Sequence, residues 1–302
     1  MVAYVVERLD TVILSAGSPL DGLDLMSPFV WREGAGYRIL VRGVPNPMGP
    51  DRPTGLIVGG TSRDGLTFAM DTGLAIAPGP GADDAGGCED PTVLLLPGDQ
   101  GERSSYLVYY TGVDAAHAQS AMMLATGPDM QSLVKRELVL KAPPGEGNIK
   151  EATLAQASDG SWRLFYEYAA NEASRIGMAS GPTPQGPWTV QPDPFGIRED
   201  SWDNWHLSTG PMVTLPGQDP VMFYNGATHD ARWRIGWISF DADFARVTGR
   251  GLEPMLVPPP ATSRTDTDIA FAASSVMEGD DIALYYSLED RMLRRAFIRR
   301  YC

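Results

Sequence analysis

The chain repeats itself. Runs rich in aromatic and β-branched residues recur roughly every 60 residues, which is the signature of an architecture built from one supersecondary unit. They are Tyr37 to Arg42, Tyr106 to Tyr110, Arg163 to Tyr168, Pro220 to Tyr224 and Asp281 to Tyr286. A second strand-like segment follows each one: Thr54 to Thr61, Ala121 to Thr126, Arg175 to Ser180, Arg234 to Phe240 and Arg291 to Ile298. Small-residue turns such as Ser62-Arg63-Asp64-Gly65 and Gly127-Pro128-Asp129 end most of these. Ahead of each run lies a further short segment, at Ser27 to Val30, Asp90 to Val93, Glu151 to Leu154, Gly210 to Val213 and Ser274 to Val276. Three strands plus a more variable fourth make a propeller blade, so the repeat predicts an all-β chain folded as a single five-bladed β-propeller over residues 1–302. A β-sandwich is the alternative, but a sandwich has no need of the same strand order at even spacing.

Composition fits that reading and narrows the partners. The chain has 33 Gly and 25 Pro, turn residues that suit many short strands better than long helices. Acidic residues outnumber basic ones, 38 to 24, for a formal charge of -14, which argues against nucleic acid or an anionic membrane as partner. An uncharged small molecule such as a sugar fits easily. The first ten residues lack the basic segment and long apolar stretch of a secretory leader, so a cytoplasmic location is expected. Two cysteines, Cys88 and Cys302, are too few for a disulfide framework and lack the spacing of a zinc site.

In a propeller the innermost strands converge on a funnel, and chemistry is sought there. The polar groups on those strands are Glu89 and Asp90 in the second repeat, Lys150 and Glu151 in the third, and His206, Ser208 and Thr209 in the fourth. Carboxyl groups from different strands facing one cleft are what glycoside cleavage demands, one to protonate the leaving oxygen and one to attack or to activate water. The plainer reading pairs Glu89 and Asp90 with Lys150 in a structural ion pair. Trp202-Asp203-Asn204-Trp205-His206 places bulky aromatics in loop-like sequence just before an inner strand, where they could stack on sugar faces.

Gly87-Cys88-Glu89-Asp90-Pro91, Tyr110-Thr111-Gly112, Lys150-Glu151-Ala152, Trp205 to Pro211 and Leu284-Tyr285-Tyr286 together resemble glycoside hydrolase family 130. That family consists of five-bladed propellers acting on β-mannosides, as inverting phosphorylases or as hydrolases. The resemblance implies that Asp90 is the proton donor, acting through a hydroxyl of the bound sugar. It also implies sugar- or phosphate-binding roles for Arg42, Lys150, His206 and Asp290, while Glu89, Tyr110, Trp202, Asn204 and Trp205 are read as substrate-binding from residue type and position.

Three departures from the family pattern bear on the nucleophile. Thr92 stands where the family has Arg, Glu151 replaces an Asp, and Asp114 to Ala121 carries no arginine for a phosphate clamp. Fewer cations favour water as nucleophile, with Glu151 as the base. The expected reaction is therefore inverting hydrolysis of β-linked mannosides with Asp90 as acid. Phosphorolysis is the alternative, with inorganic phosphate as co-substrate and otherwise no cofactor or metal. A propeller furanosidase is disfavoured, because Met26-Ser27-Pro28 and Ser208-Thr209-Gly210 lack its acids. A carbohydrate-binding propeller without turnover is the alternative of another class.

Overall fold

The computed structural model describes residues 3–96, 105–143, 147–215, 217–260 and 268–301, which form strands and turns with no helix. The strands fall into consecutive antiparallel sheets. The first holds Asp24–Glu33, Gly36–Val44, Leu56–Ser62 and Thr67–Ile76, with Ile13–Leu14 added in parallel at its outer edge. The second holds Gly87–Leu96, Ser105–Val113, Ser120–Gly127 and Val134–Leu140. The third holds Ile149–Gln156, Trp162–Ala170, Ala173–Gly181 and Thr189–Gln191. In the last, Ala270–Glu278, Asp281–Leu288 and Met292–Tyr301 are completed by Ala3–Thr11, so both ends of the described chain share one sheet.

The fourth repeat is the irregular one. Pro220 to Tyr224, predicted as a single strand, is only Val221–Met222, and Asn225–Ala227 continues it as part of a separate sheet. The strand expected over Arg234 to Phe240 is likewise split into Trp233–Ile235 and Ile238–Phe240. Packing explains the interruption. A side chain at Gly210 would lie 1.8 Å from the Phe223 carbonyl oxygen, and the indole of Trp202 fills the space over Gly226 and Gly236. The backbone is thus wedged apart where a continuous ladder would run.

Five apolar cores lie between successive sheets. Val108 and Tyr110 of the second sheet pack with Leu40 and Ile57 of the first, and Tyr109 and Met122 pack with Leu164 of the third. Phe165 meets Met222 and Phe240, Phe223 meets Leu284, and Ala283 and Tyr285 close back onto Val41 and Val58 of the first sheet. Middle strands are therefore covered on both faces, which is why they read as continuous apolar runs and not as alternating ones. Each fully buried side chain of this kind contributes about 1.5–3 kcal/mol.

Side-chain hydrogen bonds stitch the inner strands in the same order. Thr92 Oγ1 donates to Ala152 O at 2.6 Å, and Thr153 Oγ1 donates to Gly210 O at 2.9 Å. Asn225 bridges to Ala272, accepting from its N–H at 2.7 Å and donating to its carbonyl at 3.1 Å. Ser274 Oγ accepts from Val30 N at 2.8 Å and donates to Pro28 O at 2.7 Å, joining the last repeat to the first. Ser274→Ala strands both buried groups and is expected to cost about 1–3 kcal/mol. Urea denaturation checks this: a midpoint equal to that of the parent chain would deny Ser274 a closing role.

Candidate active site

The register of four inner strands shifts at a corresponding place, between Met26 and Phe29, Glu89 and Thr92, Lys150 and Thr153, and Ala272 and Ser274. In the first three, one residue adopts a left-handed backbone: Ser27 at φ 48, Asp90 at φ 48 and Glu151 at φ 53. Bulges re-aim side chains and gather beside functional sites. A left-handed Asp or Glu is uncommon enough to be informative. Asp90 and Glu151 thus hold equivalent positions on adjacent strands, with Ser27 as the first repeat's counterpart.

Around them lies a buried charge cluster. Arg42, on the second strand of the first sheet, reaches Glu89 Oε1 at 2.7 Å and Asp90 Oδ1 at 3.1 Å, and it donates to Thr54 O at 3.0 Å. Gly55 makes room for it, since a side chain there would meet Arg42 Nε at 2.9 Å and the Cys88 carbonyl at 2.6 Å. Lys150 Nζ donates to the other Glu89 oxygen at 2.9 Å. Ser27 Oγ donates to Asp90 Oδ1 at 2.8 Å. Asp90 is only 3% exposed, and its Oδ2 is buried with no partner. A buried carboxylate oxygen without a donor costs free energy unless something else binds it.

The charges can be balanced directly. Burial opposes ionisation of Glu89, but Arg42 and Lys150 outweigh it and hold its carboxyl below the usual range. Burial likewise opposes the charge on Lys150, and Glu89 and Asp90 more than restore it. Arg42 and Lys150 are both engaged by Glu89, Arg42 by Asp90 as well, and neither makes an ion pair with the next carboxyl. Burial first, then the charges of Asp90 and Glu167, hold Glu151 well above the ordinary carboxylate range. Glu151 keeps its proton because neutralising it that way costs less than a third buried anion.

Glu167 belongs to this cluster and was not anticipated from sequence. It lies opposite Lys150 in the strand register and accepts from Ser174 Oγ at 2.8 Å. Burial raises its carboxyl too, with the hydroxyls of Ser208 and Ser174 opposing. One signal was available: a single acid inside the aromatic run Arg163 to Tyr168. Asp290 joins from the last sheet's turn, where φ is 50, raised by burial with Arg42 opposing and Asp90 and Asp24 reinforcing. It is a turn residue whose carboxyl lies near the cluster.

A raised carboxyl gives a stability signature of definite sign. Between the unfolded value of about 4.5 and the higher folded value of Glu151, the native state binds more protons than the unfolded one, so stability falls as pH rises. Glu151→Gln removes this term. The variant's melting temperature is expected to gain on that of the parent chain from about pH 5 to pH 9, and a constant difference across that range would contradict the protonated Glu151.

The remaining candidates lie in three other places. Tyr110 is fully buried in the core between the first two sheets, its hydroxyl on Asp84 Oδ2 at 2.8 Å, so its ring cannot face a sugar. Middle strands are covered on both faces, and that is the reason. Trp202 stacks on Tyr224 at 5.4 Å beside the pairs that Arg198 and Arg250 make with Asp203. With Asn204 it lines a separate hollow bounded by Arg198, Glu199 and Leu252. Trp205 and His206 instead form part of a row of partly exposed rings. His229 lies 4.5 Å from Trp205, His206 stacks at 5.3 Å on Trp233, and Trp233 meets Phe271 at 5.3 Å. Ser174 ties this row to the cluster, since its hydroxyl reaches Glu167 and its N–H donates to His206 Nδ1 at 3.1 Å. A larger hollow, lined by Trp237, Arg250 and Met255, contains none of the clustered carboxyls.

No family model matches the chain, and no curated protein matches it. Solved structures do. The β-1,2-mannobiose phosphorylase of Listeria innocua, in complex with β-1,2-mannobiose, is similar over 96% of this chain and 90% of its own, with a TM-score of 0.73 at 18% identity. The chain shares its fold with mannoside-cleaving enzymes. A mannose phosphorylase of Leishmania mexicana, in complex with phosphate, matches 97% of this chain and 88% of its own, with a TM-score of 0.70 at 12% identity. A third match comes from glycoside hydrolase family 130, described as mannoside phosphorylases among which are hydrolases that target β-1,2-mannosidic linkages in Candida mannan. It covers 91% of this chain and 84% of its own, with a TM-score of 0.70 at 19% identity.

Proposed function

We propose that the chain is a five-bladed β-propeller of glycoside hydrolase family 130 that cleaves β-mannosides with inversion, using Asp90 as acid and Glu151 as base for water. The ring of cores and hydrogen bonds, in which the fifth repeat packs on the first, supports the propeller. The observation that carries the chemistry is the buried, unpartnered Asp90 Oδ2 beside a carboxyl that holds its proton.

The free site stores that proton on Glu151. Cleavage needs the other arrangement, with the proton on Asp90 and Glu151 ionised. The resting and productive forms differ in the position of that one proton. The surroundings make the productive form reactive. Once Asp90 gives up its proton, Ser27 and Arg42 are in place to meet the carboxylate, and Glu151, buried without a cation of its own, takes a proton from water readily. A sugar hydroxyl seated on Asp90 Oδ2 would relay the proton to the leaving oxygen.

Water is favoured over phosphate by what the cations already hold. Lys150 is engaged by Glu89, and Thr92, in place of the family's arginine, is spent on the Ala152 carbonyl. Incubation with β-1,2-mannobiose, with and without phosphate, tests the reading. Free mannose at equal rates in both is the expected result. Mannose 1-phosphate formed only with phosphate would reverse the choice of nucleophile.

A further inference from the structure

Beyond the carboxyl cluster, at the rim formed by the third and fourth repeats, positive charge is left without a counter-ion. Arg175 makes no ion pair among the described residues; its Nη1 donates only to the backbone oxygens of Ser174, at 2.8 Å, and Trp205, at 2.6 Å. Its guanidinium is fixed by these two bonds while its remaining N–H groups stay available. His206 and His229 lie close enough that, after burial, Arg175 and then His229 push the His206 imidazolium below its ordinary value. The same side chains sit among the partly exposed rings of Trp205 and Trp233. On a chain of net charge -14, an arginine held by backbone oxygens and not by a carboxylate stands out.

Cations and flat aromatic faces in one patch fit a particular chemistry. A bare oxyanion needs donors only, whereas a ring carrying an anionic group needs both an apolar face to stack on and a cation for the charge. Lys150, the cation nearest the carboxyl pair, is already neutralised by Glu89, so the free charge lies further out, past Glu167 and Ser174. Ser174, bonded to both Glu167 and His206, places that charge next to the carboxyl cluster.

We propose that Arg175, with His206 and His229, forms a subsite for an acidic sugar, so that the substrate is a mannoside whose second unit carries a carboxylate. Trp205 and Trp233 supply the stacking faces and Arg175 the charge-assisted hydrogen bonds. This inference rests on the mannoside-cleaving reading above and names the class of sugar that the site selects.

Calorimetry in an Asp90→Asn background, where turnover is suppressed, compares β-mannosyl-glucose with β-mannosyl-glucuronate, which differ only in a carboxylate for a hydroxymethyl group. The uronate is expected to bind about tenfold more tightly at low salt, with the ratio shrinking as salt is raised. In Arg175→Gln the ratio should fall toward one, and Arg175→Lys, which keeps the charge, should retain most of it. Equal affinities, or a preference untouched in Arg175→Gln, would overturn the proposal. So would phosphate-dependent cleavage of the neutral mannoside that Arg175→Gln abolishes, because the anion would then be a co-substrate. If neither ligand binds, the mannoside reading itself fails; if the neutral one binds but the uronate gains nothing, only the acidic subsite does.

Discussion

Asp90→Asn is expected to lower kcat by about two to four orders of magnitude, the usual contribution of a positioned general acid, while the affinity for a mannoside changes only a few-fold. The substitution keeps the shape of the side chain. Its amide oxygen can still accept from Ser27 and Arg42, the two donors on Asp90 Oδ1. Arg42 also keeps its contact with Glu89 at 2.7 Å, so the fold around it has reason to persist. What is lost is the proton that the unpartnered oxygen would deliver. A loss confined to KM would assign Asp90 to binding alone, and unchanged turnover would remove it from the chemistry.

The largest effect on stability is expected at Glu89. It is 2% exposed and is the common partner of Arg42 and Lys150. Glu89→Gln leaves two buried cations with a single carboxylate, and breaking a buried pair from one side costs about 3–5 kcal/mol. For a domain of this size that is roughly a 5–15 °C fall in Tm. Replacing Lys150 with Met at the same time should recover part of the loss, because the second uncompensated charge is then removed as well. The surface pair Arg8–Asp10, with Arg8 largely exposed, offers the contrast: Arg8→Ala should change stability by less than about 1 kcal/mol. Thermal melts of these three variants decide the matter, and a Glu89→Gln protein as stable as the parent would mean that the cluster is not held by its charges.

Much of this was legible in the residues. The middle strands of the first, second, third and last sheets stand where the aromatic runs placed them, since a strand covered on both faces must be apolar at nearly every position. The fourth repeat was misread in detail because Gly226 and Gly236 look like turn residues in sequence, yet they exist to admit Trp202 from a loop more than twenty positions earlier. No local pattern carries that. Arg42, Glu89, Asp90, Lys150, Glu151 and Asp290 do gather, each from an inner strand, its hairpin partner or a turn beside them.

Tyr110 was misplaced for the converse reason. An aromatic in a polar-looking motif can belong to the core, and only the packing of neighbouring sheets shows which side it faces. Glu167 escaped notice because its strand was read as framework, although a lone acid in such a run has to find a partner, and it lies opposite Lys150. The protonation of Glu151 was beyond sequence altogether. It follows from counting two cations against the carboxyls around them, and that count requires knowing which side chains share a volume.

The central claim, that Asp90 and Glu151 cleave a β-mannoside with inversion by way of water, is tested most directly by following the first sugar released. Time-resolved proton NMR of the cleavage of an aryl β-mannoside, which releases a single mannose, reads its anomeric configuration before mutarotation scrambles it. Direct attack by water should release α-mannose first, with the β anomer appearing only as solution equilibrium is approached. Release of β-mannose first would mean a covalent intermediate and a nucleophilic carboxylate, and would contradict the account.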